Sequence, residues 1–366
     1  MSTITKLDNG HWKARYRTPD GASRSKTFAR KVDAETFITS TEHRKLIGDY
    51  VDSSSGRITF GAYAEQWVSN QPHRPSTSAS LESMMNVHIL PALGHRPFGK
   101  IRPSDVQAFV SGLPLAPSTV RTVYSKVSAI FAAAVLDRVI TSSPCSRAIK
   151  LPRLPGGRVT PMEPSQVRAV IDAVDQRYGA LLLLMAGTGL RPGEALGVTE
   201  DRVEFLRRTI TVDRQLLTVT GSEPTLAPVK TESSNRTVVV PDAVVSALAA
   251  HVEQFGTGPY GLLFTDEHGR PMRRDYLGSI WRRAAKAAKV TGRSPHDLRH
   301  YAASVMIDQG ASVKAVQHQL GHEKATTTLD TYAHLWPDSE DTTRRALGVG
   351  VEALVSDSCP AVATEA

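Results

Sequence analysis

Six side chains along this chain could together do chemistry on a phosphate ester: Arg191, Lys230, His296, Arg299, His322 and Tyr332. They stand in the strings TGLRPGEAL (188–196), VKTESSNR (229–236), HDLRH (296–300), LGH (320–322) and TTLDTYAH (327–334). A phosphodiester carries negative charge on its non-bridging oxygens, and attack at phosphorus builds more charge there. Guanidinium groups suit that task because they are planar, permanently charged and donate in pairs. Arg191 and Arg299 are the candidates. Glu194, one helical turn beyond Arg191, could orient its guanidinium or form a plain surface ion pair. His296 and Arg299 are three residues apart and share a helix face. His296 could donate to the phosphate or shuttle a proton. Gly321 is a helix stop, which puts His322 on the turn beyond, free to face a ligand.

Tyr332 is the candidate nucleophile. A free phenol titrates near 10, so ionising it at pH 7 costs roughly 4 kcal/mol. Neighbouring Arg and His groups would offset much of that cost. Tyr301 is a rival phenol, but it lies inside the helix begun by HDLR and reads as packing. His318 and His322 have a zinc-like spacing. Gly321 interrupts the helix between them, however, and no HExxH string or cysteine ligand accompanies the pair, so no metal is expected. No GxxxxGK[ST] loop is present, and exchanging one ester for another needs no ATP. No cofactor is expected.

These groups need elements to hold them. The chain has 366 residues, more than one ordinary domain, and its 40% hydrophobic content supports folded cores. A net charge of +8 favours a polyanionic partner, with nucleic acid ahead of membrane. Between Lys6 and Lys31 lie Lys6, Lys13, Arg15, Arg17, Arg24, Lys26, Arg30 and Lys31, opposed only by Asp8 and Asp20. A second basic stretch runs Arg270, Arg273, Arg274, Arg282, Arg283, Lys286, Lys289, Arg293. Such patches would neutralise phosphates. The two cysteines, Cys145 and Cys359, have no CxxC spacing, which argues against a disulfide scaffold and a cysteine zinc site. The longest apolar run, 181–186, is too short to cross a bilayer, and the N-terminus lacks a signal core. The expected compartment is a reducing cytosol.

Residues 1–50 read as a small sheet plus helix. Turn signals at Asp8-Asn9-Gly10 and Pro19-Asp20-Gly21 bracket an alternation of Trp12, Ala14 and Tyr16 with Lys13, Arg15 and Arg17. A second strand is expected at 24–28, and a helix capped by Asp33 running to about Gly48. Lys13, Arg15, Arg17, Arg24 and Lys26 are the candidate DNA contacts, because a basic β-ribbon fits a major groove. A solvated strand face is the alternative. The polar segment 51–57 reads as a linker. Residues 58–150 read as all helical, with helices near 63–68, 80–88, 104–112 and 118–139. Ser104 and Ser118 are expected N-caps, and Pro91 and Gly94 expected breaks. A Pro- and Gly-rich linker spans 151–161. Residues 162–340 follow, with helices at 165–178 and 180–187, strands at 209–213 and 237–240, and helices from Asp242 onwards. Lys230 is expected on a hairpin tip or edge. In the tail, 341–366, a short helix is expected near 344–354.

The six positions and their strings resemble the catalytic set of the tyrosine recombinases, the phage-integrase family, across about residues 1–340. The resemblance implies a multidomain α+β fold: an N-terminal three-stranded sheet plus helix that binds arm-type DNA, a helical core-binding domain that includes HILPALG, and a mainly helical catalytic domain with a small antiparallel sheet. It assigns Arg191 and Arg299 to clamping the phosphate, Lys230 to protonating the departing 5′ oxygen, and Tyr332 to forming a 3′-phosphotyrosine. Ser234 and Arg236 would serve structure. It implies double-stranded DNA with core-type and arm-type sites as partner, a homotetramer on DNA, a DNA-bending host factor and an excision factor, and action in a bacterial host cell at the nucleoid. Family analogy also suggests a tail exchanged between protomers through Ala346, Leu347, Val349, Val351 and Leu354. The lambda-like N-terminal module favours a phage or mobile-element integrase. A type IB topoisomerase shares the tyrosine and cations, and a non-enzymatic DNA-binding regulator would explain the basic patches but not the ordered six.

Overall fold

The computed structural model describes residues 2–19, 21–48, 50–52, 55–154, 156, 158–219, 221–336 and 340–356. Ser53 and Ser54 of the first expected linker, Pro155 and Gly157 of the second, Asp20, Cys359 and the rest of 357–366 lie outside them. The chain forms two compact units, Met1–Gly156 and Gly157–Ala366.

The first unit begins with an antiparallel sheet of β1 (Thr3–Lys6), β2 (Trp12–Arg17) and β3 (Ser23–Phe28), followed by α1 (Lys31–Leu46). Alternation along β2 sends Ala14 and Tyr16 inward, where the Tyr16 and Phe28 rings meet Phe37 of α1. Register splits the expected basic face in two. Lys13, Arg15 and Arg17 pair with Thr27, Ser25 and Ser23 and lie on the face away from α1. Lys26 pairs with Ala14 and Arg24 with Tyr16, so both lie on the α1 side. There the Lys26 ammonium sits 5.0 Å from the Phe37 ring centroid, and Arg24 Nε donates to Asp52 at 2.9 Å. The five cations therefore form no single face. Asp33 is not the N-cap of α1. Arg30 holds that position, and Asp33 pairs with it from the first turn.

The remainder of this unit is helical: α2 (Phe60–Ser69), α3 (Pro75–Met84), α4 (Pro103–Gly112) and α5 (Pro117–Leu136). Phe60, Phe98 and Phe131 form its aromatic centre. Two expectations are corrected. Ser104 and Ser118 fall inside their helices, because Pro103 and Pro117 take the first helical position and move the caps to Arg102 and Ala116. Pro91 does not break the chain. With no N–H to give, it sits within a π-helical stretch, Met85–Gly94, that continues α3. Finally, α5 is the one helix among the described residues long and apolar enough to cross a bilayer, and it buries Val123, Val127, Ile130 and Phe131 in this core.

The second unit is built on α7 (Gln176–Thr188), whose Leu181, Leu182, Leu184 and Met185 are fully buried. Packed against it or beside it are α6 (Pro164–Ala173), α9 (Asp242–Phe255), α10 (Arg274–Ala287) and α11 (Asp297–Asp308). The break between α6 and α7 falls at Val174, not Gly179, since the Asp175 carboxylate accepts the Arg177 N–H and restarts the helix. The short α8 (Pro192–Leu196) leads into β4 (Val203–Glu204), β5 (Thr209–Val212), β6 (Arg214–Leu217), β7 (Thr225–Pro228) and β8 (Arg236–Val239). One sheet is ordered β4-β5-β8, and β6 with β7 makes a separate hairpin. The unit closes with α12 (Val313–Leu320), α13 (Ala325–Tyr332) and α14 (Glu340–Ser356).

Candidate active site

Two glycines make the site possible. Gly189 ends α7 with φ 72° and Gly321 ends α12 with φ 67°, a backbone region that side chains disfavour. Each turns a carbonyl onto an arginine. Arg299 Nη1 donates to Gly189 O at 2.7 Å, and Arg191 Nη2 donates to Gly321 O at 3.1 Å.

Arg191 caps α8, and its Nη1 donates to Glu194 Oε1 at 2.6 Å. Glu194 is only 4% exposed, and its other oxygen accepts Arg236 Nη2 at 3.1 Å. This is no surface ion pair. Burial pushes the Glu194 carboxyl upward, but the Arg236 and Arg191 charges prevail and hold it below the usual carboxylate range. Arg236 is fully committed to the fold, donating also to Gln319 O at 3.0 Å and Ser234 O at 3.0 Å. Gln319 fastens α12 to its neighbours. Its amide donates to Thr188 O and Val239 O, and its oxygen accepts the Val239 N–H.

Arg299 is 2% exposed. Burial, then the nearby Arg191 charge, lowers its pKa to about 9, which leaves it charged at neutral pH. Its Nη2 is buried and has no hydrogen-bond partner within the protein. A charged donor left without an acceptor is costly, and an anionic oxygen would satisfy it.

The histidines differ from expectation in charge. Burial, then His300, brings His296 down to about 4, and burial, then Arg299, brings His322 down to about 4. Both are neutral at pH 7 in the free protein, so the fixed positive charge comes from the arginines. His322 Nδ1 is engaged with Thr328 Oγ1 at 2.8 Å, which leaves Nε2 as the atom to face a ligand.

Tyr332 closes α13 and is 1% exposed. Its ring stacks on that of His322 with centroids 6.4 Å apart, and its hydroxyl lies 2.7 Å from His300 Nδ1. Burial raises the phenol pKa, while the Arg299 charge opposes that rise. Tyr301 is half-buried in α11 and packs against the core. His334 reaches Val159 O at 2.9 Å, and His318 is exposed.

Arg191, His296, Arg299, His322 and Tyr332 are thus drawn together. Lys230 is not joined to them. It is exposed on the bend after β7 rather than at a hairpin tip, since the tip lies between β6 and β7, and among the described residues its ammonium makes no ion pair. The second basic stretch is partly paired with carboxylates: Arg270 with Asp266, Arg273 with Asp275, and Arg293 with Asp297. Arg270, Arg274, Arg282, Arg283, Lys286 and Lys289 are exposed. Sequence reasoning missed His300 as a partner of Tyr332. The signal was present, because His300 lies four residues after His296 in HDLRH and so shares its helix face.

Known proteins fit this architecture. Profiles of the phage integrase family match three segments: the phage integrase family proper over residues 161–338, the phage integrase N-terminal domain over 2–48, and its N-terminal SAM-like domain over 59–113. The putative prophage phiRv2 integrase of Mycobacterium tuberculosis is 27% identical over 345 residues, 90% of each chain. The integrase of Mycobacterium phage FRAT1 is 25% identical over 306 residues, 80% of this chain and 87% of its own. Among solved structures, the Tn1549 transposon integrase in complex with a circular intermediate DNA superposes with a TM-score of 0.70 at 23% identity, covering 80% of this chain and 99% of that one. A lambda integrase dimer bound to a COC′ core site does so with a TM-score of 0.59 at 17% identity, covering 92% and 97%. The matches fall in chain order on the sheet-plus-helix module, the helical bundle and the second unit, and the chain belongs to the phage integrase family of tyrosine recombinases.

Proposed function

We propose that this chain is the site-specific recombinase of a phage or other mobile element, and that Arg191, Lys230, His296, Arg299, His322 and Tyr332 carry its chemistry. The observation that supports this most directly is Arg299 Nη2, a buried cationic donor without a protein acceptor, in the same cluster as Tyr332. A scissile phosphate bound there receives two charged forks, from Arg191 and Arg299, and one N–H from each neutral imidazole. The Tyr332 oxygen attacks phosphorus, and the bond to the 5′ oxygen breaks. Lys230, on its exposed bend, protonates that oxygen when DNA draws it in. The products are a 3′-phosphotyrosine and a 5′ hydroxyl, and the hydroxyl of a partner strand reverses the step. No net ester is lost, so neither ATP nor metal enters.

Residues 1–50 would bind arm-type DNA through Lys13, Arg15 and Arg17, and residues 58–150 and 162–340 would each contact core-type DNA. A tetramer on two sites fits this chemistry, as do a DNA-bending host factor and an excision factor in the host cytoplasm. Protomer contacts would use α14, where Leu347, Val351 and Leu354 recur at helical spacing and are exposed. The side chain of Ala346 lies outside the described residues. Truncation after Trp336 should abolish synapsis; intact recombination would remove the tail from this scheme.

The decisive experiment is a nicked suicide duplex carrying the core site from DNA flanking the gene. Wild-type protein should become covalently joined to it. Tyr332→Phe should bind it equally and form no adduct. A DNA-binding regulator would trap nothing. A topoisomerase would relax plasmids without paired sites.

A further inference from the structure

Within the proposed reaction, the phenol must lose a proton as its oxygen reaches phosphorus. The arginines cannot accept it, and the nearest acceptor belongs to none of the six motif positions. His300 Nδ1 stands 2.7 Å from the Tyr332 hydroxyl, across 32 residues of chain. We propose that His300 is a catalytic residue of this enzyme, the general base that takes the Tyr332 proton during strand cleavage and returns it during rejoining.

Geometry and environment agree. His300 lies one turn into α11, on the face that also carries His296, and the two rings meet edge to face at 5.1 Å. Tyr332 is sealed from solvent, so water cannot take the proton. The charged and titratable groups around His300 are Asp297 and Arg299 on its own helix, Arg293 on the preceding loop, His296 at the helix start and Tyr332 from α13. Burial is the largest influence and lowers the imidazole pKa, outweighing Asp297, so the ring is neutral at pH 7 and has a lone pair to offer. The phenol, pushed upward by burial, holds its proton and is the donor in the pair.

The step balances. The O–H bond of Tyr332 breaks and its proton passes to Nδ1, giving an imidazolium. The oxygen–phosphorus bond forms as the bond to the 5′ oxygen breaks, and Lys230 supplies that oxygen's proton. On rejoining, Lys230 recovers its proton from the attacking 5′ hydroxyl, and His300 returns its own to the departing phenolate. The imidazolium also faces the phosphate at the moment charge builds there.

The test is single-turnover cleavage of the nicked duplex at saturating protein from pH 6 to 9.5, with wild type, His300→Ala and His300→Asn. Asparagine can still accept the phenol hydrogen bond but cannot hold the proton. Both variants should bind DNA with wild-type affinity yet cleave about 100-fold or more slowly at pH 7. Their rates should climb tenfold per pH unit, because attack then waits on the small fraction of phenol already ionised, whereas wild type stays flat above neutrality. A fluorinated tyrosine at 332, with a more acidic phenol, should recover much of the loss. If His300→Ala fails to fold, the Asn variant and the fluorinated wild type carry the test. Wild-type rates in His300→Asn, or a loss with an unchanged pH profile, would overturn the base and leave a packing role. Failure here is separable from failure of the recombinase reading, which requires that wild type form no adduct at all. A 5′-thiolate leaving group, needing no proton, should rescue Lys230→Ala but not His300→Asn.

Discussion

The Arg299 guanidinium donates to the carbonyl of Gly189 at 2.7 Å, joining residues 110 positions apart. That carbonyl points inward only because Gly189 adopts φ 72°. A Cβ there would stand 2.5 Å from Leu320 Cδ2, so that side chain would have to shift, and the positive φ itself disfavours any side chain. Gly189→Ala should therefore cost about 2 kcal/mol of stability, read by urea denaturation, and should slow cleavage. Wild-type stability and rate together would mean that the arginine is held by other means.

Glu194 lies between Arg191 and Arg236, with both Glu194 and Arg236 almost wholly buried. Glu194→Gln keeps the shape but removes the countercharge, leaving the Arg236 guanidinium buried without an anion. Breaking such a pair costs about 3 kcal/mol. Cleavage should fall as well, since Arg191 loses its 2.6 Å tether. A change within experimental error in the denaturation midpoint would refute this buried role.

Stability should depend on pH through His296 and His322. Both titrate near 6.5 in the unfolded chain and at about 4 when folded. Above pH 6.5 neither state carries the proton and their contribution is intact. Between about 6.5 and 4 the unfolded state binds protons first, so stability is lost as pH falls through that window. Melting temperature should decline from pH 7.5 to 5, and less steeply in a His296→Gln, His322→Gln double variant. Equal slopes would show that other groups control acid sensitivity.

The N-terminal sheet offers a contrast between its two faces. Replacing Lys13, Arg15 and Arg17 by Ala should weaken arm-site binding and reduce the logarithmic salt dependence by about two to three, with melting unchanged. Lys26→Ala should act the other way, lowering stability by removing its contact with Phe37 while leaving the salt slope near wild type. Filter binding across a salt series and thermal melting separate the two. Identical behaviour would dissolve the distinction between faces.

Much of this was legible in the chain. Strings such as TGLRPGEAL and HDLRH are local, so the glycine stop, the arginine after it and the helix start could be read from neighbours alone. The outcome departs where long-range geometry decides. Register, not composition, puts Lys26 behind the sheet. The phenol's partner, His300, is fixed by how α11 meets α13. Glu194 reads as exposed until Arg236 arrives from β8 to bury it. Lys230 follows a hairpin inserted between the two expected strands, and no periodic pattern announced β6 and β7.

The sealed position of Tyr332 has a consequence for the cell. A protein able to sever chromosomes must be harmless while idle. With Tyr332 only 1% exposed and its hydroxyl against an imidazole, a solitary copy brushing against arbitrary duplex would offer the proposed nucleophile no way to nick it. Scission becomes conditional on an encounter that delivers a phosphate inward to the buried guanidinium, so the lock and the blade are made from the same few side chains.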